Sequence, residues 1–549
     1  VSATVAQRAN TETAGVSPAI LALSFIALFA IAVRIAWLMW HGPSEVTEDG
    51  AEYARIAQNL LSGHGYVGLR GTTMFVFPPL YPLAIAAIFP LAHDAVQAGL
   101  AVSLLSGAAL VFPIYGIAAT CYGRRAGYTA ALLTAVLPFL VQLSSVVLAD
   151  SLFLTLATAG TFFLLRTAND KRAIDAVACG VSFALAYLTR PEGILLELLA
   201  LTVICVALVP RSIDRRRIIP LALAAALPFI VLASPYVAFL SSHAGHLRIE
   251  GKSVLNLDIG LRMDRGMSYI VAADAIDDSL AQIGPEIRQD YFFESPGRTQ
   301  PPLAAMLAFG AHNLIRHVRE IAHVAASRLC GTVLFALLAI VGFVAGPWSK
   351  RRMWNQAILV ACGVVFAVAL ASVYHFWDRY FIGFVPLLIV WAANGIEVVA
   401  RAATARSKVR WLGAAPAALA GAFLFVLLFS MKIAFADDAT SNAEEQAGRW
   451  LAQHGGAGAR ILSISDQAVF YANGIWYMLP YAPSDDAARR YVQKLHPDFV
   501  ILDREFAAER PYVTTWLASS IPIAGARIVY ARSEGGTPSI QIVRTSTPQ

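Results

Sequence analysis

Residues 18–40 read PAILALSFIALFAIAVRIAWLMW, an almost unbroken apolar run. A helix that crosses a bilayer needs about 20 mostly apolar residues, and this run meets that length. Working outward, comparable runs lie at about 97–119, 126–148, 151–167, 174–189, 192–209, 218–240, 329–347, 354–374, 379–400 and 411–433. The fold class expected is a polytopic α-helical membrane protein with about eleven transmembrane helices. Composition agrees. Of 549 residues, 57% are hydrophobic and only 14% charged, against about 25% charged in a soluble chain. The formal charge is +6, but the basic residues sit in short clusters between apolar runs. They form loop charges of a membrane protein rather than a nucleic-acid patch.

One more apolar run, 78–92, is marginal in length and contains Pro78, Pro79, Pro82 and Pro90. Charge decides whether it crosses, because Lys and Arg gather in cytoplasmic loops. With the N-terminus inside and 78–92 not crossing, the inner loops hold Arg124 and Arg125; Arg166, Lys171 and Arg172; Arg211, Arg215, Arg216 and Arg217; Lys350, Arg351 and Arg352; and Arg401, Arg406, Lys408 and Arg410. Every basic cluster then falls on one side. The run 78–92 is therefore expected as a re-entrant or surface helix covered by protein. The first span is too long for a cleaved signal peptide and is expected as a retained anchor.

This topology divides the chain into a cytoplasmic tail (1–17), a transmembrane region (18–433) with outer loops 41–96 and 241–327, and an outer segment (434–549). That last segment is mixed and polar. Strand-like runs at Arg460–Ile464, Asp498–Leu502 and Arg527–Tyr530, with a helical stretch at Asp485–Lys494, predict a small extracytoplasmic α/β domain. Leu303–Ala325 is amphipathic and is expected along the membrane interface. Cys121, Cys179, Cys205, Cys330 and Cys362 lie in or beside apolar runs without metal-ligand spacing, and read as packing residues.

Ionisable residues gathered at one depth of a membrane bundle are functional candidates. The outer ends of the spans supply Glu48, Asp49, Asp150, Arg190, Glu192, His375, Asp378 and Arg379. They come from four loops on one face and suit an anionic lipid headgroup. Each has a plainer reading. Asp49, with Glu52 three positions on, resembles a capping box. Asp150 also precedes a helix and could cap it. Arg190 could snorkel to headgroups, and Tyr374–Tyr380 could be an aromatic belt. On spacing alone both readings stay open.

Five segments carry a resemblance. Asp49-x-x-x-Tyr53, Phe77-Pro-Pro-Leu-Tyr-Pro82, Leu148-Ala-Asp-Ser-Leu-Phe153, Ala186-Tyr-Leu-Thr-Arg-Pro-Glu-Gly193 and Arg379-Tyr380 through Pro386 resemble, in order, motifs of the glycosyltransferase C superfamily. The match is to its protein O-mannosyltransferase and lipid A aminoarabinose transferase group, over roughly residues 20–400. The resemblance implies a single sugar moved from a polyprenyl-phosphate carrier, with inversion, at the outer face of a bacterial inner membrane. Asp49 would be the general base on an acceptor hydroxyl. Arg190 and Arg379, with His375, would hold the donor phosphate. Glu48, Tyr53, Asp150, Glu192, Asp378 and Tyr380 would support them. Asp150 would either hold a divalent metal or orient Arg190. The acceptor would be a lipid, a glycan or a protein. No phosphate-binding Walker loop or dinucleotide fingerprint occurs, as a lipid-linked donor requires. Two other classes compete: a transporter or flippase of lipid-linked sugars, and a glycan polymerase or ligase. No internal repeat of the kind transporters carry is visible.

Overall fold

The computed structural model describes residues 18–42, 46–208, 215–289, 303–327, 333–373, 378–406, 415–430, 441–534 and 537–545. A helical bundle takes most of the chain. Its first part runs α1 (Pro18–His41), α2 (Glu48–Leu61), α3 (Leu80–Ala92), α4 (Ala95–Ala109), α5 (Val111–Tyr122), α6 (Arg124–Val136), α7 (Pro138–Leu143), α8 (Asp150–Asp170), α9 (Ala173–Tyr187), α10 (Gly193–Leu208) and α11 (Arg215–Ala244). Its second part runs α12 (Ser253–Asp264), α13 (Tyr269–Asp274), α14 (Leu303–Ser327), α15 (Val333–Val344), α16 (Lys350–Ala369), α17 (Val385–Arg406) and α18 (Ala415–Ser430). Short 3-10 stretches, Leu370–Ser372 and Asp378–Phe384, lie between α16 and α17.

Among the described residues, six helical stretches are long and apolar enough to cross a membrane: Pro18–His41, Ala95–Tyr122, Asp150–Asp170, Ile218–Ala244, Lys350–Ala369 and Arg379–Ala405. Shorter apolar helices cover Leu80–Ala92, Ala173–Tyr187, Gly193–Val206, Leu334–Val344 and Ala415–Phe429. The expected run at 126–148 is not one helix. It breaks between α6 and α7, where Leu137 is extended at φ −63°, ψ 119°. Pro138 lacks an N–H and disfavours a helical residue before it. The Pro-rich run forms α3, 13 residues long and so about 20 Å at 1.5 Å per residue, shorter than a bilayer core of about 30 Å.

Close helix approach depends on small residues. A Cβ on Gly342 of α15 would lie 1.7 Å from the Trp391 carbonyl oxygen of α17, and one on Gly395 2.0 Å from that of Leu338. The two glycines let the backbones touch, as membrane helix pairs commonly do. Arg34 of α1 is fully buried. It donates to Ser144 Oγ at 2.7 Å and to the carbonyls of Ala30, Ala135 and Gly107 at 3.1–3.3 Å. Those bonds offset its desolvation and tie α1 to α4, α6 and α7.

The C-terminal segment runs α19 (Ser441–Gln453), β1 (Arg460–Ser463), α20 (Gln467–Tyr471), β2 (Ile475–Met478), α21 (Asp485–Leu495), β3 (Phe499–Asp503), α22 (Pro511–Ser519), β4 (Arg527–Glu534) and β5 (Thr537–Arg544). The sheet order is β2-β1-β3-β5-β4. β2, β1 and β3 are parallel, and β5 and β4 add antiparallel. Every residue of β3 is buried, as expected of a strand covered on both faces. Sheet and bundle meet through the segment after α2 and through α13. Trp476 N donates to Leu69 O at 2.8 Å, and the Arg70 guanidinium lies 4.3 Å from the Trp476 ring centre. Arg510 pairs with Asp274 at 2.6 Å, both buried.

Candidate functional site

Thr47 is the N-cap of α2, its hydroxyl accepting from Gly50 N at 2.9 Å. That corrects the capping-box reading of Asp49. Asp49 lies one residue inside the helix, and Glu52 accepts from Leu69 N at 2.9 Å instead. Asp150 does not cap α8 either. Ala149 occupies the cap position without a side-chain bond. Both carboxylates point into one cavity of about 280 Å³.

The walls come from separated parts of the chain. Asp49 and Tyr53 come from α2, Phe77 and Pro78 from the loop after it, and Asp150 and Phe153 from α8. Arg190 and Glu192 come from the turn between α9 and α10, and Arg379 and Tyr380 from the 3-10 stretch before α17. The local sequence explains the placements. Pro191 keeps α9 from running on, and the turn that follows Tyr187 presents Arg190 to the cavity. Tyr53 packs against Phe77 at 4.8 Å and Tyr81 at 5.0 Å between ring centres. Tyr81 in turn donates to Gly99 O at 3.0 Å, which locks the Pro-rich segment to α4.

Charge is paired within the cavity. Arg379 Nη2 is 2.7 Å from Asp49 Oδ2. Arg190 reaches Asp150 at 2.5 Å and Glu192 at 2.9 Å. The two guanidiniums flank Tyr380, each 5.6 Å from its ring centre. Burial alone would push the Asp49 carboxyl up. Arg379, Lys252 and Arg190 outweigh it and hold Asp49 below the ordinary carboxylate range.

Of the residues singled out from sequence, the cavity collects Asp49, Tyr53, Asp150, Arg190, Glu192, Arg379 and Tyr380. Glu48 is exposed and does not line it. Asp378 opens the 3-10 stretch beside Arg379. His375 lies outside the described residues. Sequence reasoning missed Glu250, Lys252 and Asn256. They sit in the segment between α11 and α12 and at the start of α12, where no motif marks them. Gly251 places them there: a Cβ at that position would lie 2.0 Å from Phe75 O, so only glycine lets the loop press onto the wall. Glu250 accepts from the backbone N–H groups of Lys252 and Ser253 at 2.7 and 2.8 Å. Lys252 Nζ lies 5.5 Å from the Phe77 ring centre.

Asp150 was a candidate metal ligand, but its carboxylate is committed to Arg190. Among the described residues, no three His, Cys, Asp or Glu side chains come together in a set that would hold a metal ion. The donor set does not fit a resident metal, and no step is assigned to one.

Residues 77–239 match the family model for dolichyl-phosphate-mannose-protein mannosyltransferase. No curated protein matches the chain in sequence. The fold is similar to that of the Archaeoglobus fulgidus oligosaccharyltransferase, at 16% identity and TM-score 0.61, covering 91% of this chain and 71% of that one. It is also similar to ArnT from Cupriavidus metallidurans bound to undecaprenyl phosphate, at 13% identity and TM-score 0.57, covering 96% and 99%. The matched segment carries Phe77, Asp150, Arg190 and Glu192 of the cavity wall. Over residues 77–239 the chain is thus similar to dolichyl-phosphate-mannose-protein mannosyltransferases, and over most of its length it shares the fold of these two structures.

Proposed function

We propose that this chain transfers a single sugar, with inversion, from a polyprenyl-phosphate carrier to an acceptor hydroxyl at the outer face of the membrane. The observation that carries this reading is the Asp49–Arg379 pair, 2.7 Å apart, in a cavity that also holds Arg190 and Lys252. A carboxylate and several cations in one site supply what the reaction needs. The donor phosphate binds against the cations. The acceptor oxygen attacks the anomeric carbon while Asp49 takes its proton. The anomeric C–O bond to phosphate breaks, and the lipid phosphate leaves with the electron pair. Stabilising that leaving charge with preplaced cations is typically the largest contribution, and the planar forks of Arg190 and Arg379 match phosphate oxygens.

Size supports one sugar over a whole glycan. A cavity of about 280 Å³ lies just below the usual range of small-molecule sites, roughly 300–1,000 Å³. A pocket lined by paired acids and bases also suits chemistry better than passage of a lipid across the bilayer. The setting we propose is the bacterial inner membrane, with the C-terminal sheet outside and the acceptor a lipid, glycan or protein.

The test is a membrane assay with radiolabelled polyprenyl-phosphate sugars, comparing wild type with Asp49→Asn at equal protein level. Loss of transfer supports the base, and the labelled product identifies sugar and acceptor. Undiminished transfer by the variant overturns the assignment.

A further inference from the structure

Helix α2 presents two stripes. Asp49 and Tyr53 face the cavity. Glu48, Glu52, Arg55 and Asn59, spaced four, three and four apart, form a second stripe on another side of the same helix. Arg55 in that second stripe meets the C-terminal sheet segment. It is buried, 7% exposed, and donates to Phe470 O at 3.0 Å and to the side-chain oxygen of Asn473. Its guanidinium lies 5.6 Å from the Phe470 ring centre. Glu52 reinforces the contact indirectly: it holds Leu69 N, and Leu69 O accepts from Trp476 N of β2 at 2.8 Å.

A buried guanidinium is costly unless its donors are satisfied. The oxygens that accept from Arg55 come from residues more than 400 positions away, in α20 and the turn after it. Any shift or rotation of α2 that moved Asp49 would pull Arg55 off those oxygens. We infer that Arg55 is a positioning residue through which the C-terminal segment fixes Asp49 against Arg379. The segment thereby contributes to the chemical step without touching the cavity. The inference rests on Asp49 being the base.

The experiment uses full-length protein and a labelled polyprenyl-phosphate sugar, with Arg55→Ala, Arg55→Lys and Asn473→Gly. Asn473 has φ 55°, which glycine adopts freely, so Asn473→Gly removes the acceptor and keeps the turn. The expected result for Arg55→Ala is a kcat loss on the order of 10- to 100-fold, the size that a misplacement of about 1 Å produces, with donor KM unchanged. The acid limb of the pH–rate profile moves upward, because a loosened Asp49–Arg379 pair leaves burial to raise the carboxyl. Arg55→Lys recovers part of the rate. Asn473→Gly shows the same split of kcat from KM, and adding it to Arg55→Ala costs little more. Unchanged kcat and an unmoved acid limb would overturn the inference. So would a loss confined to donor KM, or a loss of kcat with no movement of the limb. If Arg55→Ala fails to accumulate, Asn473→Gly decides alone. Full transfer by Asp49→Asn sinks the base itself. An inactive Asp49→Asn beside normal Arg55 and Asn473 variants sinks only the brace.

Discussion

Arg379 Nη2 stands 2.7 Å from Asp49 Oδ2, so the proposed base and a proposed phosphate ligand hold each other. A carboxylate in that pair is a poor base. An entering phosphate would compete for Arg379 and leave Asp49 with fewer counter-charges.

The pH dependence follows from the sign of the shift. Asp49 is held low by Arg379, Lys252 and Arg190 against the opposing effect of burial. Its reactive, ionised form therefore persists to below the ordinary Asp value of about 3.9. The kcat/KM of wild type should show no acid limb from Asp49 above that pH. In Arg379→Ala burial is less opposed, the carboxyl rises, and the limb should move up. The same variant should lose on the order of 10²- to 10³-fold in rate with its cation. An unmoved limb would show that Arg379 does not tune Asp49.

Arg190 carries two carboxylates, Asp150 and Glu192, and stacks near Phe153 and Tyr380 at 5.5 and 5.6 Å. Its direction is fixed from every side. Asp150→Asn should leave Arg190 charged but loosely aimed, weakening donor binding on the order of 10-fold, while Arg190→Ala should cost more. Chelation should leave both comparisons unchanged, because the Asp150 carboxylate is spent on the guanidinium. Activity restored to Asp150→Asn by added divalent cation would contradict that assignment.

Much of this was legible in sequence, and the reasons are physical. Long apolar runs have no other use than lipid or a buried bundle, so the helical class is read directly. Asp49, Asp150, Arg190 and Arg379 stand out because a charge beside such a run needs a purpose. Lys252 does not stand out, since one lysine in a polar loop looks like solvent-facing charge. Only the close approach of Gly251 to Phe75 O reveals where it points. The break at Leu137–Pro138 was visible as a proline but hidden by the apolar residues on both sides. Strands β2 (Ile475–Met478) and β5 (Thr537–Arg544) are not marked in the sequence reading, so length does not decide which strands stand out. The grip of Phe470 and Asn473 on Arg55 joins positions too distant for any local pattern to mark.

Lys252 lends itself to a direct test. Among the described residues it makes no ion pair within 4 Å, unlike Arg190 and Arg379, yet it lines the same cavity. It is the cation most readily available to an incoming phosphate. Lys252→Ala should raise donor KM about 10-fold with a smaller effect on kcat, roughly the loss of one exposed charge-assisted bond. Gly251→Ala should do the same by pushing the loop off Phe75. Normal donor KM in both variants would remove this loop from the phosphate site.

The contact between α2 and the C-terminal segment also carries buried acids, and their signs predict how stability varies with pH. Burial pushes Glu52 up to about 7 despite the Leu69 N–H bond and the nearby Arg70 and Arg55. Burial likewise raises Glu444 to about 8, with Asp503 adding repulsion. Asp466 is raised too, by burial and then by Glu48, Glu52 and Glu444. Among the described residues Glu52 Oε1 and Asp466 Oδ1 have no hydrogen-bond partner. In the unfolded chain these groups titrate near the ordinary values of about 4. Between that pH and about 7 to 8 the folded state binds more protons, so stability must fall as pH rises. For Glu52 alone the difference is on the order of 3 kcal/mol. The melting temperature of detergent-solubilised protein should therefore decline from pH 5.5 to 8. Glu52→Gln, neutral at every pH, should flatten the decline. A melting temperature that rises across this window, or one whose slope Glu52→Gln leaves untouched, would show that the carboxyls are ionised in the folded contact.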